Sequence, residues 1–536
     1  MELLTKASYS GEVTEREKRN LEVAYRAACE SIVLLKNEGV LPLQTKKVAL
    51  YGPGVTRTIK GGTGSGEVNE RHSVTILEGM ENRGFEIASK QWLADYEADY
   101  EAGEIAHKKE QRDIVKLIKS KSFMEMMFKG YTPPAGRAIT EMDIAESDTD
   151  TAIYVLSRQA GEGGDRKAEK GDLFITDEER AAIETCVKNY ENFVLVINSG
   201  CSIDMSFVEE IPGIGAILFI CQLGTEGGNA FADVISGKVT PSGKLTDTWA
   251  KKYADIPFHD EFSYLNGNVE EEYYKEGIYV GYRYFDSFDV EPCYSFGYGL
   301  SYTEFSVFGA GVSVEGTTVK LNAIVTNVGT DYSGKEVVQA YLSAPAGKLH
   351  KEYQSLVAFA KTKELMPAES ETLQMSFDMT EVASYDEERA SYILEAGEYI
   401  LRLGNSSRNT VPVAVILLDK EVIVSTHCHI CPIAEPIEEL KAMQREMETV
   451  NPGVPRLALK VEDFKTIHYT YKNPEVYSDE RVDKFMDTLT LKEMVEIVVG
   501  IGMFGGETRF NMPGSVGNTT SKFWDRGLAN VKRTTM

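Results

Sequence analysis

Between residues 151 and 238 the sequence switches repeatedly between two periodicities, and few folds accommodate that switching. TAIYVLS (151–157) is followed by TDEERAAIETCVKNY (176–190), NFVLVINSG (192–200), SFVEEI (206–211), AILFICQLG (216–224) and TEGGNAFADVISGK (225–238). The apolar runs read as strands buried on both faces, whereas 176–190 opens with Thr176 and Glu179, a helix-start pair, and continues at helical spacing. Strands alternating with helices predict βαβ units, a parallel sheet covered on both faces, and post-strand loops gathered along one edge.

Around this middle the character changes. TEREKRNLEVAYRAACESIVLLK (14–36) predicts an amphipathic helix opened by Thr14 and Glu17, and KKVALYGPG (46–54) a buried strand feeding a glycine-rich loop. From about residue 305 to 420, β-branched alternation broken by Gly, Asn and Asp predicts a β-sandwich of immunoglobulin or fibronectin size. Pro432, Pro436, Pro452, Pro455 and Pro474 make 421–475 a linker that packs on its neighbours, and a new helix is expected from SDERVDKFMDTL (478–489). With 536 residues, several domains are expected.

Charge excludes some partners. There are 57 Lys and Arg against 83 Asp and Glu, a net charge of −26, which repels phosphate backbones and anionic lipid. Nucleic acid and membrane are therefore not expected as partners. No apolar run approaches a membrane span and the first residues show no secretory pattern, so a cytoplasmic location is the expectation. Seven cysteines lie mostly inside apolar runs and imply no disulfide framework. THCHIC (426–431) offers four soft donors, but no second Cys or His pair stands elsewhere at metal-ligand spacing, so no metal is assigned.

Two glycine-rich loops remain. KGGTGSGEVN (60–69) lacks the Lys-Ser/Thr of a P-loop and has Glu67 where a dinucleotide fingerprint needs its third glycine. Its glycines Gly62, Gly64 and Gly66 suggest main chain approaching a ligand or another domain. In RQAGEGGDR (158–166), Glu162 stands between glycines directly after a buried strand, with Asp165 and Arg166 near enough to set its charge state. A carboxyl presented in this way could donate a proton to a leaving oxygen, given a second carboxylate across the bond.

AACESIVLLKNEGVLPL, KGGTGSGEVN, SRQAGEGGDRKAEKGDLFITDEE, GGNAFADVISGKVTPSGKLTDTW, FGYGLSYTEF and VTNVGTDYSGKEVVQAYL together resemble glycoside hydrolase family 3, over about residues 12–415 and in the family's order. VYSDERVDKFMDTLTLKEMVEIVVG (476–500) resembles the opening of that family's barrel domain, which here comes last rather than first. The resemblance implies an α/β fold: a parallel-sheet α/β sandwich domain over 1–304, a fibronectin type III-like domain over 305–420, the linker 421–475, and an incomplete start of a (β/α)₈ barrel over 476–536.

By the same resemblance Glu162 is the acid/base. Gly62, Thr63, Gly64 and Ser65 belong to a loop bordering the sugar pocket, with Asp165 and Arg166 beside it as substrate-binding residues. The implied activity is that of a retaining β-glucosidase on terminal non-reducing β-D-glucosyl residues of glucosides and short oligosaccharides, with no cofactor. No Ser-Asp-Trp-like nucleophile sequence occurs and a whole barrel takes ~250 residues. The nucleophile is accordingly expected to be missing from this chain, and the apolar barrel fragment is expected to promote self-association. The alternative is a non-catalytic carbohydrate-binding or interaction protein derived from the family.

Overall fold

A computed structural model describes residues 11–116, 131–470, 479–491 and 494, apart from 64–65, 67, 69, 162–165, 262–266, 269–270, 431–432, 434 and 444–448. The chain divides into two units, 1–469 and 470–536. In the first, an α/β part contains α1 (Glu15–Ser31), β1 (Val33–Asn37), β2 (Lys47–Tyr51), α2 (Ile76–Asn82), β3 (Glu86–Ile87), α3 (Lys90–Lys116) and α4 (Glu141–Ser147). It continues with β4 (Thr151–Arg158), α5 (Asp177–Asn189), β5 (Asn192–Ser199), α6 (Ser206–Glu210), β6 (Ala216–Phe219), α7 (Gly227–Ile235) and α8 (Tyr282–Ser287).

The six strands form one sheet in the order β1-β6-β5-β4-β2-β3. β2 through β6 pair in parallel, as the alternation predicts. Their apolar runs disappear from solvent: Val194, Leu195, Val196 and Ile197 of β5 are all fully buried. The helices start where side chains cap them. Thr176 and Glu179 form a reciprocal capping box on α5, and Thr14 accepts from the Glu17 N–H (3.2 Å) on α1.

Two features depart from the expected fold. The helix predicted over 14–36 ends at Ser31, and Val33–Asn37 form β1, antiparallel to β6 with Val33 opposite Phe219. Ile32 to Leu35 are apolar without a polar face, which suits an enclosed strand better than the last turn of an amphipathic helix. The sheet is therefore mixed rather than wholly parallel. α2 and α7 cross at Gly79 and Gly228, where a Cβ on either residue would run into the opposing main chain.

A β-sandwich part follows with β7 (Phe305–Glu315), β8 (Thr318–Asn327), β9 (Val337–Ser343), β10 (Ser355–Lys361), β11 (Ser370–Asp378) and β12 (Ser384–Asp386). It continues with β13 (Ser391–Leu394), β14 (Gly397–Ser406), β15 (Asn409–Leu418), β16 (Val422–Thr426), β17 (Arg456–Ala458) and β18 (Ile467–His468). The sheets run β10-β9-β14-β15-β17, β11-β8-β7 and β12-β13-β16-β18. β8 alternates strictly, with Val319, Leu321, Ala323 and Val325 buried against Leu401, Leu403 and Ile416.

The stretch expected to be linker, 421–475, contributes strands instead: β16 pairs with β13, β17 extends the first sheet in parallel with β15, and β18 lies beside β16. Pro436, Pro452 and Pro455 sit between these short strands rather than inside them. Polar ties join the α/β and sandwich parts. Glu30 of α1 accepts from Lys361 (2.9 Å) and Lys335, while Lys244 pairs with Glu336 at 2.7 Å with both side chains largely buried.

In the second unit the described helix is α9 (Glu480–Met486), its N-terminus capped by Asp479. The other residues expected to begin a barrel lie largely outside those described. Among the described residues, no helix is long and apolar enough to cross a membrane.

Candidate functional site

Because β2, β4, β5 and β6 run in parallel, the loops that follow them leave the sheet at the same edge. The loop after β2 turns back over β4. Gly52 takes a positive φ (+93°), and a Cβ there would stand 2.9 Å from the Val155 amide nitrogen. That close crossing explains Gly52 and leads the chain towards the loop after β4.

The two glycine-rich loops meet main chain to main chain. A Cβ on Gly62 would lie 3.0 Å from the Ala160 carbonyl oxygen, and one on Gly161 would collide with the Thr63 amide nitrogen. Gln159 Nε2 donates to the Gly61 carbonyl (3.0 Å), and Gln222 Nε2, from the loop after β6, donates to the Ala160 carbonyl (3.0 Å). Some of the glycines thus serve contact between loops, a use the sequence pattern alone does not distinguish from ligand contact.

Asn198, at the end of β5 and fully buried, holds the frame together. Its Oδ1 accepts from the Ile59 N–H (2.7 Å), and its Nδ2 donates to the carbonyls of Ile59 (3.0 Å) and Cys221 (2.7 Å). One amide side chain therefore satisfies main-chain groups of two loops from a third strand. Further out, the Gly224 N–H donates to the Lys60 carbonyl (2.8 Å), and Lys60 pairs with Glu70. The Lys60 ammonium and the Ser73 hydroxyl hold the Glu70 carboxyl down at about 2.

The far side of the loop after β4 is anchored by charge. Arg158 forms a two-pronged, buried pair with Glu179 (2.7 and 2.6 Å) and donates to the carbonyls of Asp172 (2.8 Å) and Phe174 (3.3 Å). Glu179 also closes the α5 capping box, so one carboxylate joins loop and helix. Arg166 pairs with Asp172 and contacts the Cys201 sulfur, and Asp172 Oδ2 accepts from the Lys167 N–H (2.7 Å).

Of the residues expected at the site, Gly62 and Thr63 stand at the loop contact, and Arg166 stands at the charged anchor. Glu162, Gly64, Ser65 and Asp165 lie outside the described residues. Both roots of the segment that carries Glu162 are fixed: Gly161 presses on Thr63, and Arg166 is engaged with Asp172. Sequence reasoning missed Asn198 and Gln222. The signal available was a polar amide closing each apolar run, in VINSG and FICQLG.

His427 of THCHIC, and His468 beside it, have partners of another kind. His427 Nε2 lies 2.9 Å from Ser425 Oγ and its ring stacks on Tyr469, while His468 Nδ1 lies 2.9 Å from Thr426 Oγ1. Among the described residues, no group of three His, Cys, Asp or Glu is placed to hold a metal ion.

Comparison with known proteins adds the following. Residues 32–282 match the glycosyl hydrolase family 3 C-terminal domain, and 336–407 match a fibronectin type III-like domain. A β-glucosidase A of Butyrivibrio fibrisolvens is 33% identical over 455 residues, 75% of this chain and 51% of that protein. A β-glucosidase of Ruminococcus albus is 33% identical over 442 residues, 80% of this chain and 43% of the relative. The chain thus spans about half the length of the curated relatives it matches. The structure of β-glucosidase 3B from Thermotoga neapolitana in complex with α-D-glucose superposes with a TM-score of 0.66 at 35% identity, covering 76% of this chain and 55% of that one.

Proposed function

The chain belongs to glycoside hydrolase family 3, with that family's C-terminal domain joined to a fibronectin type III-like domain, and on this premise we propose that it supplies the proton-transfer half of a β-glucosidase. Glu162 is the acid/base. In a retaining mechanism it protonates the departing glycosidic oxygen while a second carboxylate attacks the anomeric carbon. It then takes a proton from the water that releases the sugar.

The observation that carries this reading is the clasp at the roots of the Glu162 segment. A general acid needs a fixed position relative to the scissile bond, and the residues flanking the Glu162 segment are tied to their neighbours, Ala160 by Gln222, Gly161 against Thr63 and Arg166 to Asp172. The nucleophile belongs to a barrel segment other than these 536 residues, since no Ser-Asp-Trp-like sequence occurs among them. Substrates are terminal, non-reducing β-D-glucosyl groups, in keeping with the names of the relatives.

An aryl β-glucoside assay tests this. The chain alone is expected to give little turnover. Mixing it with a separately expressed family 3 barrel domain is expected to raise turnover, and Glu162→Gln to abolish the gain. Full turnover by the chain alone, indifferent to Glu162→Gln, would overturn the reading.

A further inference from the structure

Away from the clasp, the sheet β12-β13-β16-β18 carries a row of rings on its outer face. Tyr385 and Tyr392 are cross-strand partners with ring centroids 5.0 Å apart. Tyr392 meets His427 at 5.4 Å, and His427 stacks on Tyr469 at 4.8 Å. These tyrosines are 39%, 42% and 54% exposed, although they touch one another. Aromatic rings left in water as a contiguous row, rather than scattered singly, mark a binding surface.

The row does not end on open surface. Tyr385 and Tyr392 form part of the wall of a cleft of about 980 Å³, bounded on its other sides by 277–283, 348–352 and 439–441. That volume is at the upper end of the range for small-molecule sites, about 300–1,000 Å³. Three of its cations are matched by carboxylates. Lys348 pairs with Glu388 (2.9 Å) and Asp386 (3.7 Å), Arg283 with Glu352 (3.6 Å), and Lys351 with Glu395. With Glu381, Glu387 and Glu439 also in its lining, the cleft disfavours an anion, and its ion pairs offer donors and acceptors side by side.

We infer that this cleft binds a neutral β-linked oligosaccharide, separately from the Glu162 loop. Pyranose rings present C–H faces to Tyr385 and Tyr392, while their hydroxyls exchange hydrogen bonds with the Lys348–Glu388 and Arg283–Glu352 pairs. An aromatic wall beside fixed polar pairs matches a ligand that is apolar on its ring faces and polar around its rim. The choice of a β-glucan rests on the glycosidase reading above. The site itself would retain sugar near the enzyme rather than cleave it.

Calorimetric titration of cellotetraose into the full chain carrying Glu162→Gln, so that nothing is hydrolysed, tests the inference. Tyr385→Ala with Tyr392→Ala is expected to weaken binding at least about tenfold, by removing two stacking faces. Tyr385→Phe with Tyr392→Phe, which keeps the rings, is expected to retain most of the affinity and serves as the folding control. Unchanged affinity in the double alanine variant overturns the proposal, as does the absence of cellotetraose binding by the parent chain. So does displacement of the sugar response by a peptide covering 476–500, which would make the row a dock for the chain's own segment. Failure of the Glu162 assay with tyrosine-dependent binding intact would sink the catalytic reading and leave this one standing.

Discussion

Gly161 and Thr63 face each other main chain to main chain, so closely that a Cβ on Gly161 would collide with the Thr63 amide nitrogen. The contact joins the loop after β4 to the loop after β2. Gly161→Ala must push them apart, at a cost of about 1–3 kcal/mol for forced overpacking. Faster amide exchange over residues 58–63, with β4 and β5 unchanged, is the expected outcome. Unaltered exchange in that segment would show that the loops yield without strain.

Asn198 satisfies three main-chain groups from a fully buried position. Asn198→Ala leaves them without partners, and at about 1 kcal/mol or more for each the loss is expected to be ~3 kcal/mol. Asn198→Asp keeps the acceptor for Ile59 N–H but brings a carboxylate against two carbonyls, so it should be no better tolerated. Urea denaturation monitored by far-UV circular dichroism measures both. A midpoint within error of the parent for Asn198→Ala would refute the bridging role.

Arg158 and Glu179 are a buried pair whose charges depend on each other. Arg158→Met strands the Glu179 carboxylate and is expected to cost ~3–5 kcal/mol. Adding Glu179→Leu should recover much of that loss, although the capping bond to Thr176 goes with it. The four stabilities of this double-mutant cycle give the coupling directly, and additive losses would contradict it.

Asp143 gives a pH signature. Arg137 donates to both its oxygens (2.7 Å each), outweighs the opposing effect of burial, and holds the carboxyl at about 2 against an ordinary 3.8. Since the folded value is the lower one, the stabilisation is fully present above about pH 4 and is lost as the pH falls through about 2. The shift corresponds to at most about 2 kcal/mol. Denaturation midpoints between pH 2 and 6 should show Asp143→Asn losing stability at the upper end while matching the parent at the lower end. Parallel pH curves for the two proteins would remove Asp143 from the account.

The central strands were legible because TAIYVLS and NFVLVINSG are too uniformly apolar, and too plainly bounded by caps, to be anything but enclosed strands. Val33–Asn37 were not, because Ile32, Val33 and Leu35 continue the helical spacing of Ala28 and Cys29. Their strand partner, Ala216–Phe219, lies far along the chain. β16 to β18 escaped notice because each is shorter than the pattern needed to see it, and proline surrounds them. At the site, the glycines were visible as glycines, but their collision partners were not. Asn198 looked like the polar end of a strand until Ile59 and Cys221 arrived beside it from two other loops.

The ties from Glu30 to Lys335 and Lys361, and from Lys244 to Glu336, bear on how the polypeptide can be divided. A cut near residue 304 would leave five charged side chains, Glu30 and Lys244 on one fragment and Lys335, Glu336 and Lys361 on the other, facing water where each now has a counter-charge. Fragments made there should be less soluble and less stable than their sequence lengths suggest. Anyone trimming this gene for expression does better to treat residues 11 to 469 as one piece.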